Sequence, residues 1–171
     1  MSDSSIGLFV RPYGYAASEP VVAALGTGDA FIGNEAAATA ACDRDFAHVL
    51  TLTPTPAAAT THHRPLTDDD ENDWRAFVDA ADTARELLAA DGSVLIHCRA
   101  GVSRSAAVAA AATAVSTGES FVDALHAVQD ARPQAVPRPA LHELGVHYVA
   151  DRQSEKAQGQ TATSFSSSPD S

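Results

Sequence analysis

Between Ser93 and Val115 the chain passes from an unbroken apolar stretch, Ser93-Val94-Leu95-Ile96-His97, through Cys98-Arg99-Ala100-Gly101-Val102-Ser103-Arg104-Ser105, into almost continuous alanine and valine. No other segment limits the fold as strongly. The apolar stretch reads as a strand buried by helices on both sides. The alanine-rich segment reads as a central helix whose small residues allow close neighbours all round. A buried strand that enters a buried helix through one short loop calls for an α/β layered domain. The loop is chemically constrained as well. A turn at Gly101 followed by a helix start near Ser103 makes several backbone N–H groups converge on one point, and such a point suits a phosphate-like anion.

The remaining segments fit this frame. Ile6-Gly7-Leu8-Phe9-Val10 reads as a short strand and Ala30-Phe31-Ile32-Gly33 as another, separated by Tyr13-Gly14 and Gly26-Thr27-Gly28. Glu35 to Ala41 is compatible with a helix, and His48-Val49-Leu50-Thr51-Leu52-Thr53 with a buried strand that ends at Pro54 and Pro56. From Asp69 onward, Trp74, Phe77, Val78, Ala81, Ala84, Leu87 and Leu88 recur at three- and four-residue spacing. They form one face of a helix running to about Ala90, stopped by Asp91-Gly92, with Trp74 and Phe77 as core anchors. Phe121 to Arg132 and Ala140 to Ala150 supply two more helices around a proline-rich turn, Pro133 to Pro139. The expected fold is a central mixed, mostly parallel sheet flanked by helices. One domain is expected over residues 1–153, followed by a disordered polar tail over 154–171.

With 171 residues, 45% of them apolar, the chain suffices for one domain with a real core. Its formal charge of −11 argues against nucleic acid as a partner, because polyphosphates are bound by clustered lysine and arginine. Any anion it handles must meet a local positive site. Lys156 is the only lysine, and acidic residues come in runs such as Asp68-Asp69-Asp70-Glu71. That balance suggests a salt-adapted, halophilic cytosol. Two cysteines, Cys42 and Cys98, define no disulfide framework, and there is no charged-then-apolar leader or long apolar run. A reducing cytoplasm and no membrane association are the expectation.

In the loop, Cys98 lies where a helix N-terminus and Arg104 favour the ionised thiolate, a competent nucleophile. Arg104, six residues after Cys98, can close the loop with a planar guanidinium that grips two phosphoryl oxygens at once. Ser105 brings a hydroxyl close to the sulfur, able to stabilise the thiolate as it leaves. His97 is expected to orient the loop by hydrogen bonds to backbone groups. Arg99, Ala100, Gly101, Val102 and Ser103, with Arg104, are the expected phosphate cradle. Burial alone requires neither Cys98 nor Arg104 at this spacing.

His97-Cys98, five residues, Arg104 and Ser105 resembles the signature of the cysteine-dependent protein tyrosine phosphatases, and Ala100-Gly101 with Ser103-Arg104-Ser105 looks like their dual-specificity branch. The resemblance extends to Phe31-Ile32-Gly33-Asn34 and the strand after it, and to Arg132-Pro133 with Pro137, covering about Ile6 to Val149. Arg138 departs from it, standing where the late turn usually has Asn. The resemblance implies a protein tyrosine phosphatase-like fold. It implies hydrolysis of phosphotyrosine and phosphoserine or phosphothreonine in a phosphorylated protein substrate through a phosphocysteine intermediate, with no metal and no cofactor. The alternatives are RNA 5′-phosphates, phosphoinositides or small phosphorylated metabolites as substrates of the same mechanism, or an inactive phosphate-binding module. Arg99 and Val102 do not duplicate the loop lysines of the phosphoinositide branch.

The family supplies an Asp about thirty residues before its cysteine as general acid, which protonates the leaving oxygen and then activates water. Pro65-Leu66-Thr67-Asp68 resembles the stretch that ends in it, and Asp68 lies 30 residues before Cys98. Asp69 and Asp70 remain alternatives, because an acidic run at a helix start also favours the dipole and solubility. Adjacent His62 and His63 read as solvated loop residues, and Cys42 as a small buried hydrophobe that could form a protective disulfide only if it lay near Cys98.

Overall fold

The structure, a computed structural model, describes residues 18–26, 28–69 and 71–164. The expected strand at Ile6 to Val10 lies outside them. Strands β1 (Val22–Ala24), β2 (Ala30–Gly33), β3 (His48–Thr51), β4 (His62–His63) and β5 (Val94–His97) form one sheet in the order β1-β2-β5-β3-β4. β1 pairs antiparallel with β2, and the other pairs are parallel. Four helices, α1 (Trp74–Ala89), α2 (Arg104–Thr117), α3 (Phe121–Ala131) and α4 (Pro139–Ser164), complete the mixed α/β fold.

The period of two along each central strand divides the core. Ile32, Leu50, Val94 and Ile96 share a cluster with residues of all four helices, whereas Phe31, Val49 and Leu95 point to the opposite face. There a thinner cover, Ala37 and Ala38 of a 3₁₀ turn (Glu35–Ala38) with Phe46 and Ala57, takes the place of the second helical layer expected over β5. β5 is buried along its whole length. α2 is buried from Arg104 through Ala112 and again at Ala114 and Val115, so it is the axis around which the other helices pack. Its alanines make that possible, and adding methylenes at a site such as Ala109 would cost roughly 1–3 kcal/mol in displaced neighbours. Gly118, in the left-handed region with φ 78°, ends it by donating to the Ala114 carbonyl at 2.9 Å.

Several segments differ from the sequence expectation for local reasons. The helix expected from Glu35 to Ala41 is the 3₁₀ turn alone, because Thr39 turns extended and its hydroxyl donates to the Ala36 carbonyl at 2.8 Å. α1 starts at Trp74 rather than Asp69, since Thr67, Asp69 and Asn72 tie one another into a turn and Asp73 serves as N-cap. Trp74 is 38% exposed and is no core anchor, unlike the fully buried Phe77. His62 and His63 are not solvated loop residues but strand β4, half-buried beside Leu50 and Thr51. Cys42 is half-buried in the loop after the 3₁₀ turn. Residues 154–164 extend α4 instead of forming a disordered tail. A helix already nucleated needs no packing to continue through Glu155, Lys156, Ala157 and Gln158, all exposed. Residues 165–171 lie outside the described residues.

Candidate active site

The C-terminal ends of the parallel strands β2, β3 and β5 meet where β5 delivers Cys98, and the loop from Cys98 to Ser105 leaves from this edge. Cys98 is buried, with its sulfur 3.2 Å from the Ser105 hydroxyl in the first turn of α2. Gly101 adopts φ +67°, and a Cβ there would meet the Gly33 carbonyl oxygen at 2.7 Å. Both the turn and the close approach to β2 therefore need glycine.

Successive carbonyls of the loop are drawn outward by groups that do not belong to it. Arg99 O accepts from Glu35 N at 3.1 Å and Val102 O from Val136 N at 2.8 Å. Between them, buried Arg132 donates through Nη2 to Ala100 O at 3.0 Å and through Nε to Gly101 O at 2.7 Å. Because a trans peptide sets its N–H opposite its C=O, holding these carbonyls away leaves the N–H groups of Ala100 to Ser103 for the other side, the arrangement an oxyanion requires. Asn34 anchors the neighbouring turn, accepting from Val21 N at 2.9 Å and Ala37 N at 3.2 Å while donating to Glu19 O at 2.8 Å. Arg104 is buried, its Nη1 donates to Leu66 O at 3.1 Å, and its Nε meets no hydrogen-bond partner among the described residues. A buried guanidinium edge without a partner is costly unless an anion fills it.

His97 closes the loop from behind. Its Nδ1 lies 3.4 Å from the Cys98 carbonyl, which can only accept, so Nδ1 carries the hydrogen. Its Nε2 then accepts from the Thr51 hydroxyl at 2.7 Å. That oxygen accepts from Thr60 at 2.7 Å, whose own oxygen accepts from Ala57 N at 2.8 Å. All donors in this chain run one way. Burial pushes the imidazole down to about 4; the Cys98 carbonyl opposes the shift and the Arg104 charge adds to it. A neutral, fully buried ring orients the loop and takes no proton at neutral pH.

Asp68 and Asp69 are adjacent yet differently used. Asp69 is exposed and accepts from the Thr67 hydroxyl and from Glu71 N, which together hold its carboxyl below the usual range. Asp68 pairs through Oδ2 with Arg138 Nε at 3.4 Å, while its Oδ1 is buried with no hydrogen-bond partner among the described residues. The Leu66–Arg104 bond and the bond from Arg138 N to Ser103 Oγ, 3.0 Å, place this segment at the rim of the loop. Asp70 lies outside the described residues.

The sequence model described as dual specificity phosphatase, catalytic domain, matches residues 31–150. The chain belongs to this family. Mouse dual specificity protein phosphatase 19 is 41% identical over 64 residues, 37% of this chain and 29% of its own length. Human dual specificity phosphatase 28 is 38% identical over 78 residues, 45% of this chain and 44% of its own. The chain thus spans less than half the length of these curated relatives in the matched regions. Two crystal structures resemble the fold. Human DUSP28 has a TM-score of 0.67 at 25% identity, covering 79% of this chain and 99% of that one. A mouse putative dual specificity phosphatase complexed with zinc tungstate has a TM-score of 0.69 at 26% identity, covering 85% and 97%.

In this dual specificity phosphatase domain the structure brings together His97, Cys98, the cradle from Arg99 to Ser103, Arg104 and Ser105, with Asp68 at the rim. Sequence reasoning missed roles for Thr51, Thr60 and Arg132. Arg132 stood out only through its Arg-Pro neighbour, and nothing in its local pattern points to a loop 31 residues away.

Proposed function

We propose that this domain hydrolyses phosphotyrosine and phosphoserine or phosphothreonine monoesters of proteins through a phosphocysteine intermediate. The observation that carries the reading is the thiol of Cys98 beside the Ser105 hydroxyl, at the mouth of a loop whose carbonyls point away and whose Arg104 keeps a buried Nε unfilled. In the first step the Cys98 thiolate attacks phosphorus and the P–O bond to the alcohol breaks. The carboxylic acid of Asp68 passes its proton to the departing oxygen, and Arg104 with the loop N–H groups holds the three equatorial oxygens. In the second step the Asp68 carboxylate takes a proton from water, whose oxygen attacks phosphorus. The P–S bond breaks, the thiolate returns and Ser105 donates to it.

The placement of Asp68 Oδ1, buried and unengaged, favours it over Asp69, whose carboxylate is occupied in its own turn. The sequence carries no long insertion to wall the loop in, which supports a shallow site open to the shorter phosphoserine and phosphothreonine. That the related mouse structure is a complex with zinc tungstate, whose tungstate is a tetrahedral oxyanion like phosphate, agrees with this reading. The free, buried Cys98 supports work in a reducing compartment such as the cytoplasm, and among the described residues no helix is long and apolar enough to cross a membrane. The charge of −11 supports activity at high salt.

Cys98→Ser should abolish turnover while vanadate still binds. Asp68→Asn should slow hydrolysis of phenyl phosphate by about a hundred- to ten-thousand-fold without weakening phosphate binding. Full activity of Cys98→Ser would overturn the reaction, and near-normal turnover of Asp68→Asn would remove Asp68 from it.

A further inference from the structure

We infer that Arg138 is the positioning residue that aims the Asp68 carboxyl into the site, an inference that rests on Asp68 acting as the acid. Three observations carry it. The guanidinium of Arg138 engages Asp68 through Oδ2 at 3.4 Å, so the carboxyl is held by one oxygen and the other, Oδ1, is buried without a partner. Arg138 is itself fixed to the phosphate loop: its N–H donates to Ser103 Oγ at 3.0 Å, and Ser103 is buried within that loop. Finally, Arg138 stands between Pro137 and Pro139. The proline rings lock φ on either side, and the following proline keeps Arg138 itself away from helical backbone.

The consequence is a short mechanical path from the cradle to the acid. Ser103 holds the backbone of Arg138, and the side chain of Arg138 holds Asp68. An ion pair with side chains 40% and 37% exposed contributes little to folding stability, so its effect falls on orientation. The Arg138 charge is also felt by the neighbouring Asp69. An asparagine, the residue the resemblance leads one to expect here, carries no charge and is too short to offer a guanidinium fork. In this chain the late turn thus takes over part of the placement of the acid.

The test separates positioning from packing. Arg138→Ala removes the side chain but keeps the N–H that binds Ser103. It should lower kcat/KM for phenyl phosphate, whose leaving group needs the proton, about tenfold. Dinitrophenyl phosphate, whose leaving group does not need it, should change less than about twofold, and vanadate inhibition should be unaffected. In an Asp68→Asn background Arg138→Ala should have no further effect on phenyl phosphate. Arg138→Lys should recover part of the loss. Equal losses on the two esters, an undiminished effect in the Asp68→Asn background, or an unaltered Arg138→Ala enzyme would each overturn the inference. Failure of the acid assignment is distinguishable, because it shows in Asp68→Asn alone as normal turnover of phenyl phosphate.

Discussion

The loop from Cys98 to Ser105 is held from outside itself, whereas the loop from Thr67 to Asp73 is held mostly from within. Glu35, Arg132, Val136, Arg138 and His97, drawn from four separate parts of the chain, fasten the first loop. The second closes on its own members. Thr67 N and Asn72 Nδ2 exchange bonds of 2.7 Å with the Asn72 and Thr67 oxygens, and Glu71 N donates to Asp69 at 3.1 Å. Beyond itself it reaches the site through the Asp68–Arg138 pair, with the Leu66–Arg104 bond just before its start. The difference suits the two tasks proposed for these loops. A phosphate cradle must be preformed, because its dipoles act only if they need no reorganisation when charge develops. A group that gives a proton and later takes one has to admit substrate and water between the two events, and weakly tied, exposed segments open at low cost.

The sharpest way to break this contrast is to remove the outer fastening. Arg132→Met keeps an unbranched stem, shorter by the end of the guanidinium, but abolishes two charge-assisted bonds and leaves the carbonyls of Ala100 and Gly101 without their donor. Each such bond is worth about 1.5–3 kcal/mol, so a loss of about 3 kcal/mol or more in unfolding free energy is expected, with weaker vanadate binding. Urea titration with and without vanadate measures both. If stability falls but vanadate affinity does not, the loop is ordered without its outer donors and the contrast is lost.

His97 gives the next largest effect, through pH. Its folded value of about 4 lies below the ordinary value of 6.5, chiefly because the ring is buried. Above pH 6.5 both folded and unfolded chains hold the ring neutral and its full contribution is present. As pH falls toward 4, the unfolded chain takes up a proton that the folded one refuses, and stability declines by about 3 kcal/mol over that window. The imidazole resonances of His97 should stay unshifted down to pH 5. The unfolding free energy of His97→Gln should fall less steeply over the same range. A His97 ring that titrates near 6.5 would mean that the back of the cradle admits water and is less rigid than its bonding implies.

The same contrast explains what could be read from the sequence. The cradle is contiguous, and its chemistry is written in neighbouring letters: Cys98, Gly101, Arg104 and Ser105 each meet a demand set by the strand end, the turn and the helix start. The order of sheet and helices follows from periodicity in segments such as Phe77 to Leu87 and Val94 to His97. What holds the cradle is not contiguous. Arg132 acts on residues 31 and 32 positions away and Thr51 on one 46 away, and neither pattern nor propensity registers such a pairing. The short strands β1 and β4 were invisible for the same reason, since three residues and two residues become strands only through the partner they lie against. Trp74 misled because helical spacing marks a face without marking where the sheet ends.

The smallest expected effect is the one that decides between neighbours. Asp69→Asn removes a carboxylate that the Thr67 hydroxyl and the Glu71 N–H hold ionised, and asparagine keeps an oxygen able to accept from both. Because Asp69 is exposed and its bonds stay within the turn, kcat for phenyl phosphate should change by no more than about twofold. A depressed carboxyl of this kind contributes its stability above its ordinary value near 3.8 and loses it as pH falls below that, so at neutral pH the variant lacks the contribution, which is small for an exposed group, and in acid its melting should depend less on pH than that of the parent. A loss as large as that expected for Asp68→Asn would move the acid role one residue along. The proton would then come from a side chain bonded within its own turn, and the Asp68 loop would have to rearrange in every turnover rather than merely open.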